Sequence, residues 1–170
     1  MATLDYEAIP YLGRPIPATD PGALALASAL FGGPRLGLDG ALRVLELGCG
    51  DGGNLLGTAF FHPRWTLVGM DASPAAIGRA RRAVEALDLQ NVRLDVAPLG
   101  GFAPAGPFDV IVAHGVYSWV SPDERAALRR CVAEHLAPGG VAYIGFNALP
   151  GWGVRGRVRD VLVGAGVEDL

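Results

Sequence analysis

Short apolar runs alternate along the chain with longer segments in which apolar residues recur every three or four positions. The runs at 43–48, 66–70, 91–97, 108–113 and 141–146 have the length and residue types of buried strands. Helical segments separate them, as in proteins whose parallel strands are joined by crossover helices. The pattern therefore predicts an α/β domain built on a doubly wound, mainly parallel sheet.

Polar caps mark where the helices are expected to begin. Asp20 precedes a proline and predicts a helix that continues to about residue 31. Ser73 also precedes a proline, and its helix carries apolar residues at helical spacing. Ser121 and Glu124 form a capping box that opens a helix to about residue 136. Two further helices are predicted at residues 53–61 and 152–164.

Proline and glycine segments divide these elements. Residues 1–19 are predicted to be a proline-rich N-terminal arm without helix or strand period, and 100–107 a loop. The Pro-Gly-Gly sequence at 138–140 is predicted to end the helix before the fifth strand. The 170 residues are interpreted as a single domain, with the arm at 1–19 and the core at 20–170.

A glycine-rich turn follows the first strand. Gly48 and Gly50 permit a tight bend and leave no Cβ between the backbone and a ligand. Asp71 ends the second strand about 20 residues later, where such folds place the acid that binds ribose hydroxyls. Together these residues predict an adenosine-type cofactor at the carboxyl ends of the first two strands.

The turn matches two cofactor patterns. Gly48, Gly50 and Gly53 satisfy the dinucleotide pattern GxGxxG, whereas Gly52 as the third glycine gives the GxGxG pattern of methyltransferases. Glu46, two residues before the turn, favours the second pattern, because methyltransferases usually carry an acid there, close to the methionine end of S-adenosylmethionine. A nicotinamide-dependent oxidoreductase remains the alternative.

The loop after the fourth strand carries the candidates for acceptor chemistry. In open α/β sheets this loop borders the ligand crevice, and here it contains His114, Tyr117, Ser118 and Trp119. These side chains are predicted to wall a channel for an amine or alkyl group. The competing interpretation is that His114 only bonds the loop backbone, while Tyr117 and Trp119 pack.

Composition narrows the class of protein. Hydrophobic residues make up 51% and charged residues 18% of the chain, values typical of a globular domain. The net charge of -3 gives no electrostatic case for nucleic acid or an anionic membrane as partner. Cys49 and Cys131 lack metal-ligand spacing, so no metal site is predicted. Without a signal peptide or an apolar run of membrane-spanning length, the sequence favours a cytoplasmic location.

The chain resembles a class I S-adenosylmethionine-dependent methyltransferase. It is most similar to the branch that pairs this domain with a methyltransferase regulatory domain and includes rickettsial protein-lysine methyltransferases. The His-Gly-Val-Tyr-Ser-Trp sequence at 114–119 and Leu-Pro-Gly-Trp at 149–152 are its more specific motifs. The matching segments are residues 9–11 with Pro15, Pro17, Thr19 and Pro21, and residues 46–54, 69–73, 113–120 and 147–152.

The resemblance implies a Rossmann-like methyltransferase fold, S-adenosylmethionine as cofactor and a protein side chain, such as lysine, or a small molecule as acceptor. The catalytic candidates, as acceptor-positioning residues, are His114, Tyr117 and Trp119. The implied cofactor-binding residues are Glu46, Gly48, Cys49, Gly50, Asp51, Gly52, Asn54, Asp71, Ala72, Ala97, Pro98 and His114.

Two departures from the family support an alternative. Pro98 stands where that branch often has an acid that contacts the adenine amino group. The family's sheet normally has seven strands in the order 3-2-1-4-5-7-6, and only five are found here, so the sheet is expected to be truncated after the fifth strand. That strand is too apolar for a free edge and predicts self-association or a partner chain. The alternative is a non-catalytic cofactor-binding or interaction module.

Overall fold

The computed structural model describes residues 13–153, 157 and 161, and it contains a five-stranded parallel sheet in the order 3-2-1-4-5. The strands are Arg43–Leu47 (β1), Thr66–Asp71 (β2), Val92–Val96 (β3), Phe108–Ala113 (β4) and Leu136–Ile144 (β5). The helices are Pro21–Leu30 (α1), Leu55–Phe61 (α2), Pro74–Ala86 (α3) and Pro122–His135 (α4). The predicted fold class and strand order are confirmed.

All three predicted helix caps form. The Asp20 carboxylate accepts hydrogen bonds from the Gly22 and Ala23 amides of α1. The Ser73 side chain accepts one from the Ala76 amide of α3. Ser121 and Glu124 exchange hydrogen bonds in both directions at the start of α4. Each cap satisfies amides that the first helical turn leaves without a partner.

The core has two layers because consecutive strand residues point to opposite faces of the sheet. Val44 of β1 packs with Leu55 of α2 and Ile77 of α3 on one face. Its neighbour Leu45 packs with Leu128 of α4 on the other face. The inner strands β1, β2 and β4 are mostly buried on both faces, which explains their continuous apolar sequences, whereas the outer strands β3 and β5 are only partly buried.

The fifth strand begins earlier and ends earlier than predicted. The Pro-Gly-Gly sequence at 138–140 was expected to separate helix from strand, but it lies inside β5, which starts directly after α4. The pairing with β4 shifts register between Phe108 and Val110, and Gly139 has a φ of 79°. A bulge absorbs the irregular residues, and a proline is tolerated because β5 is the last strand of the described sheet.

The N-terminal arm also differs from its prediction in one place. Residues Pro17–Thr19 form a short 3-10 turn, although no helical period was expected there. Residues 1–12 of the arm lie outside the described residues, as does most of the helix predicted at 152–164. In the described part of the chain, no helix is long and apolar enough to cross a membrane.

The topology places a cleft at one end of the sheet. β1 lies between β2 and β4, and the chain crosses to opposite sides of β1 to form them. In open α/β sheets, ligands bind outside the carboxyl ends of the strands at such a switch point. The glycine-rich turn after β1 and the loop after β4 both meet there.

Candidate functional site

The glycine-rich turn, residues 48–53, bends sharply back from β1. Gly48 has a φ of 73°, and its amide and that of Cys49 both donate to the Met70 carbonyl, at 2.8 and 2.9 Å. A Cβ at Gly48 would overlap the Val116 side chain of the loop after β4. Glycine is therefore required at this position by both backbone conformation and space.

Gly50 is the open position of the turn. Its φ is 55°, and nothing lies within 4 Å of where a Cβ would stand. Gly52 is different, because a Cβ there would come 3.0 Å from the Leu56 side chain. Gly50 thus exposes its backbone to free space in the cleft, as a ligand approaching the turn requires.

Asp71 fixes the turn from the end of β2. Its Oδ2 accepts from the Gly50 amide at 2.9 Å, and its Oδ1 accepts from the Ser73 amide at 2.9 Å. The sequence predicts that this carboxylate binds ribose hydroxyls. Each carboxylate oxygen has a second acceptor position, so the observed contacts leave Asp71 able to bind a ligand as well.

Glu46 is a buried carboxylate with one oxygen left over. The side chain is 5% exposed, and its Oε1 accepts from Asn54 Nδ2 at 3.0 Å. Within the described residues, nothing bonds its Oε2, which is fully buried. Burial raises the pKa of Glu46 to about 7, and the Asn54 bond partly opposes that rise. An orphaned buried acceptor of this kind fits a cationic or N–H donor group of a ligand.

The N-terminal arm lies on the turn and uses two of the predicted cofactor residues. Asp51 accepts from the Gly13 amide through both carboxylate oxygens, at 3.0 and 3.1 Å. Asn54 Oδ1 accepts from the Ile16 amide at 2.9 Å and from Thr19 Oγ1 at 3.1 Å. These side chains hold the arm in place, a contact across 35 to 38 residues that the sequence did not indicate.

Four other predicted cofactor residues, apart from His114, offer a ligand only backbone atoms or uncharged side chains. The side chain of Cys49 is buried in the core, and burial raises the pKa of its thiol. The Ala97 amide donates to the Asp71 carbonyl at 3.0 Å, which joins the ends of β2 and β3. Ala72 and Pro98 are exposed next to these strand ends. Of the four, none presents a charged group.

A cavity of about 150 Å³ lies beside the loop after β4. Its lining combines three aromatic rings, three polar side chains and two glycines: Trp119, Tyr143 and Phe146; His114, Ser118 and Asn147; Gly115 and Gly145. The Tyr143 hydroxyl lies 3.4 Å from His114 Nδ1, and the two rings stack with centroids 5.9 Å apart. A cavity of this size holds one ring-sized or short-chain group.

The structure separates the three catalytic candidates. His114 and Trp119 line the cavity, but Tyr117 is not among the residues that line it. The Tyr117 hydroxyl accepts from Arg129 of α4 at 2.6 Å, so it is engaged away from the cavity. Trp119 is 42% exposed and meets the Trp152 ring edge-on, with centroids 6.3 Å apart.

Tyr143 lines the cavity, although it was not among the predicted site residues. It stands near the carboxyl end of β5, opposite Val112 of β4, and its ring turns toward His114. The predicted strand at 141–146 contained it, and parallel strands bring their carboxyl ends to one edge of the sheet. The pairing of β5 with β4 would have pointed to it.

Comparison with known proteins identifies the family. The family profile described as "Methyltransferase domain" matches residues 45–142. PKMT2 from Rickettsia typhi, solved in complex with AdoHcy, superposes with a TM-score of 0.84 at 32% identity, over 91% of this chain and 30% of that one. The chain therefore belongs to the class I S-adenosylmethionine-dependent methyltransferases. The predicted family and fold are confirmed, and the oxidoreductase alternative is set aside.

Two curated relatives define how far the likeness extends. An uncharacterized protein, RP789 of Rickettsia prowazekii, is 35% identical over 159 residues, 93% of this chain and 29% of its own length. The trans-aconitate 2-methyltransferase of an Azoarcus species is 39% identical over 113 residues, 65% of this chain and 41% of its own length. The chain thus spans less than half the length of each relative.

Proposed function

We propose that this domain holds S-adenosylmethionine across the carboxyl ends of β1 and β2 and methylates an amine presented in the His114 cavity. The observation that carries the cofactor site is the buried, orphaned Oε2 of Glu46. An α-ammonium group at this oxygen would satisfy both the missing hydrogen bond and the buried charge. S-adenosylmethionine carries such a group at its methionine end.

Asp71 and Gly50 complete the proposed cofactor site. Asp71 is half-buried at the end of β2, where its free acceptor positions fit the two ribose hydroxyls. The open space at Gly50 accommodates the ribose and methionine portions against the backbone. Gly48, Cys49, Gly52, Ala72, Ala97 and Pro98 would add contacts through backbone atoms and surface.

S-adenosylmethionine supplies an electrophilic methyl carbon on a sulfonium. The protein's part is to align the acceptor lone pair with that carbon and to keep water out. Trp119, Tyr143 and Phe146 provide apolar walls for this purpose. An acceptor that arrives as an ammonium must first lose a proton, and the imidazole of His114 is the lining group proposed to accept it.

The lining of the cavity favours an amine over a carboxylate acceptor. None of the described residues that line it is Arg, Lys, Asp or Glu. A tricarboxylate such as trans-aconitate would need cationic partners to offset the loss of its hydration. Aromatic faces, in contrast, attract an ammonium group. A protein lysine or a small alkylamine is therefore the proposed acceptor class.

The acceptor class is tested by a turnover assay that follows S-adenosylhomocysteine formation. We expect methylation of a lysine-containing protein or an alkylamine, and none of trans-aconitate. Tyr143→Phe and Trp119→Ala should lower kcat/KM for the acceptor while cofactor affinity stays within about twofold. Turnover of trans-aconitate alone would contradict the amine proposal.

A second candidate function is cofactor binding without turnover. The observation that favours it is Pro98, which is exposed where the branch often carries an acid that contacts adenine. Tight binding of S-adenosylhomocysteine together with no turnover on a broad acceptor panel would support this alternative. Restoring the acid with Pro98→Asp should then tighten binding without creating activity.

Two further proposals concern surroundings and partners. A reducing, cytoplasmic location is supported by Cys49 and Cys131, which are buried and form no disulfide. Association through β5, with a second copy or with a partner chain, is supported by the position of this strand at the end of the described sheet. Neither nucleic acid nor a membrane is proposed as a partner.

A further inference from the structure

Asn54 links the N-terminal arm to Glu46 through one amide group. Its Nδ2 donates to Glu46 Oε1 at 3.0 Å, while its Oδ1 accepts from Ile16 and Thr19. We propose that Asn54 is a positioning residue that couples docking of the arm to the orientation of the Glu46 carboxylate. Cofactor binding and arm docking then favour each other. This inference rests on the proposed role of Glu46.

The bonds fix which way the amide of Asn54 faces. The Ile16 amide can only donate, so the atom of Asn54 that meets it must be the acceptor Oδ1. The donor Nδ2 is thereby directed at Glu46. With the arm in place, one carboxylate oxygen is occupied and the other is left for the ligand.

The arm rests directly on the backbone of the turn. A Cβ at Gly53 would overlap the backbone of Gly13, so the two segments are in close contact. Thr19 is only 4% exposed, and its hydroxyl shares its single proton between the Ile16 carbonyl at 2.9 Å and Asn54 Oδ1 at 3.1 Å. Because the arm and the turn are in such close contact, we expect hydrogen exchange at an arm amide to respond to changes in the turn.

Proton binding by Glu46 distinguishes a positioning role of Asn54 from a role in holding the arm alone. The bond from Asn54 lowers the pKa of Glu46 against the larger effect of burial. An ammonium ligand prefers the ionised carboxylate, so its affinity rises with pH as Glu46 loses its proton. Removing Asn54 should move that rise to higher pH. The substitution leaves the other ionisable groups of the surrounding elements unchanged: Arg14 and Asp20 of the arm and the α1 cap, Arg43, Cys49 and Asp51 of β1 and the turn, Asp71 of β2, and Asp109, His114 and Tyr117 of β4 and its loop.

The test compares Asn54→Ala with Asn91→Ala as a matched control. Asn91 also makes side-chain bonds, to the carbonyls of Ala59 and His62 at 3.1 and 3.0 Å, but at the other end of α2. S-adenosylhomocysteine affinity is measured by calorimetry from pH 5.5 to 8.5. Hydrogen exchange follows the Ile16 amide with and without the ligand.

We expect Asn54→Ala to weaken S-adenosylhomocysteine binding at least tenfold at pH 7 and to shift the pH midpoint of affinity upward. The Ile16 amide should be protected by the ligand in the wild type and in Asn91→Ala, but not in Asn54→Ala. A wild type that binds, with an unchanged pH profile and unchanged exchange in Asn54→Ala, would overturn the inference.

Two other outcomes are also decisive. If the wild type does not bind S-adenosylhomocysteine, the proposed function fails and the inference fails with it. If Asn54→Ala does not fold, Thr19→Val is measured instead, because it removes one of the two bonds to Oδ1 and keeps the side-chain shape. Thr19→Val should shift the pH midpoint in the same direction by a smaller amount, and no shift would overturn the inference.

Discussion

Replacing Glu46 by Gln should change how the stability of the domain depends on pH. Burial raises the pKa of Glu46 from 4.5 to about 7 in the folded state. Below pH 4.5 the carboxyl is protonated in both the folded and the unfolded state and contributes no pH dependence. Between these pH values the unfolded state loses the proton first, so the free energy of unfolding falls as pH rises.

The size of this effect follows from the two pKa values. A difference between about 7 and 4.5 corresponds to about 3 kcal/mol, at roughly 1.4 kcal/mol for each pKa unit. The loss is complete above about pH 7. A glutamine has no such titration, and its own unsatisfied amide adds an offset that is the same at every pH. Relative to the wild type, Glu46→Gln should therefore gain about 3 kcal/mol between pH 4.5 and pH 8.

Urea unfolding of both proteins at several pH values from 4.5 to 8 measures this difference directly. Other titrating groups are common to the two proteins and cancel in the comparison. Glu85→Gln, at an exposed position on α3, serves as the control and should follow the wild type. A difference between wild type and Glu46→Gln that stays constant with pH would refute the buried, high-pKa carboxylate.

Three further predictions concern the turn and the sheet. Asp71→Ala should weaken S-adenosylhomocysteine binding at least tenfold in calorimetry. It should also lower the unfolding free energy by about 2–4 kcal/mol, because two backbone amides lose a charged acceptor. An unchanged affinity would remove Asp71 from the site, and Asp95→Ala is the control. Gly50→Val should abolish that binding through the space it fills and the positive φ it strains; a folded variant with normal affinity would mean that Gly50 serves only the bend. Sedimentation with hydrogen exchange over residues 141–147 should show self-association or aggregation, whereas a stable monomer with all these amides protected would mean that β5 is not a free edge.

Local chemistry was sufficient to predict most of the fold. The caps at Asp20, Ser73 and Ser121 act on amides within three residues, so their sequence alone determines where the helices begin. The inner strands β1, β2 and β4 could be recognised from their continuous apolar sequences because both of their faces are mostly buried. The predicted start of β5 was wrong. Pro138 and Gly139 normally end strands, and they are tolerated inside β5 because it lies at the edge of the described sheet.

The site was predictable only in part. Residues near the glycine-rich turn could be named because a strand, a bend and an acid are close in sequence. The bonds of Asp51 and Asn54 to the arm were not predictable, because they join residues far apart in the chain. Tyr117 is the opposite case. It lies in the loop that borders the cavity, but its hydroxyl accepts a hydrogen bond from Arg129 of α4, and it does not line the cavity. Long-range packing, which no local pattern encodes, decides these contacts.

The proposed cofactor site depends on a contact between Glu46 and the ammonium group of S-adenosylmethionine beside the glycine-rich turn. Calorimetric titration of the wild type with S-adenosylhomocysteine at pH 6, in two buffers of different ionisation enthalpy, measures whether this contact forms. At pH 6 a carboxyl with a pKa of about 7 is mostly protonated, so binding of the ammonium should release close to one proton, and NAD should not bind. Binding of S-adenosylhomocysteine without proton release would contradict the Glu46 contact. Binding of NAD instead of S-adenosylhomocysteine would contradict the proposed cofactor.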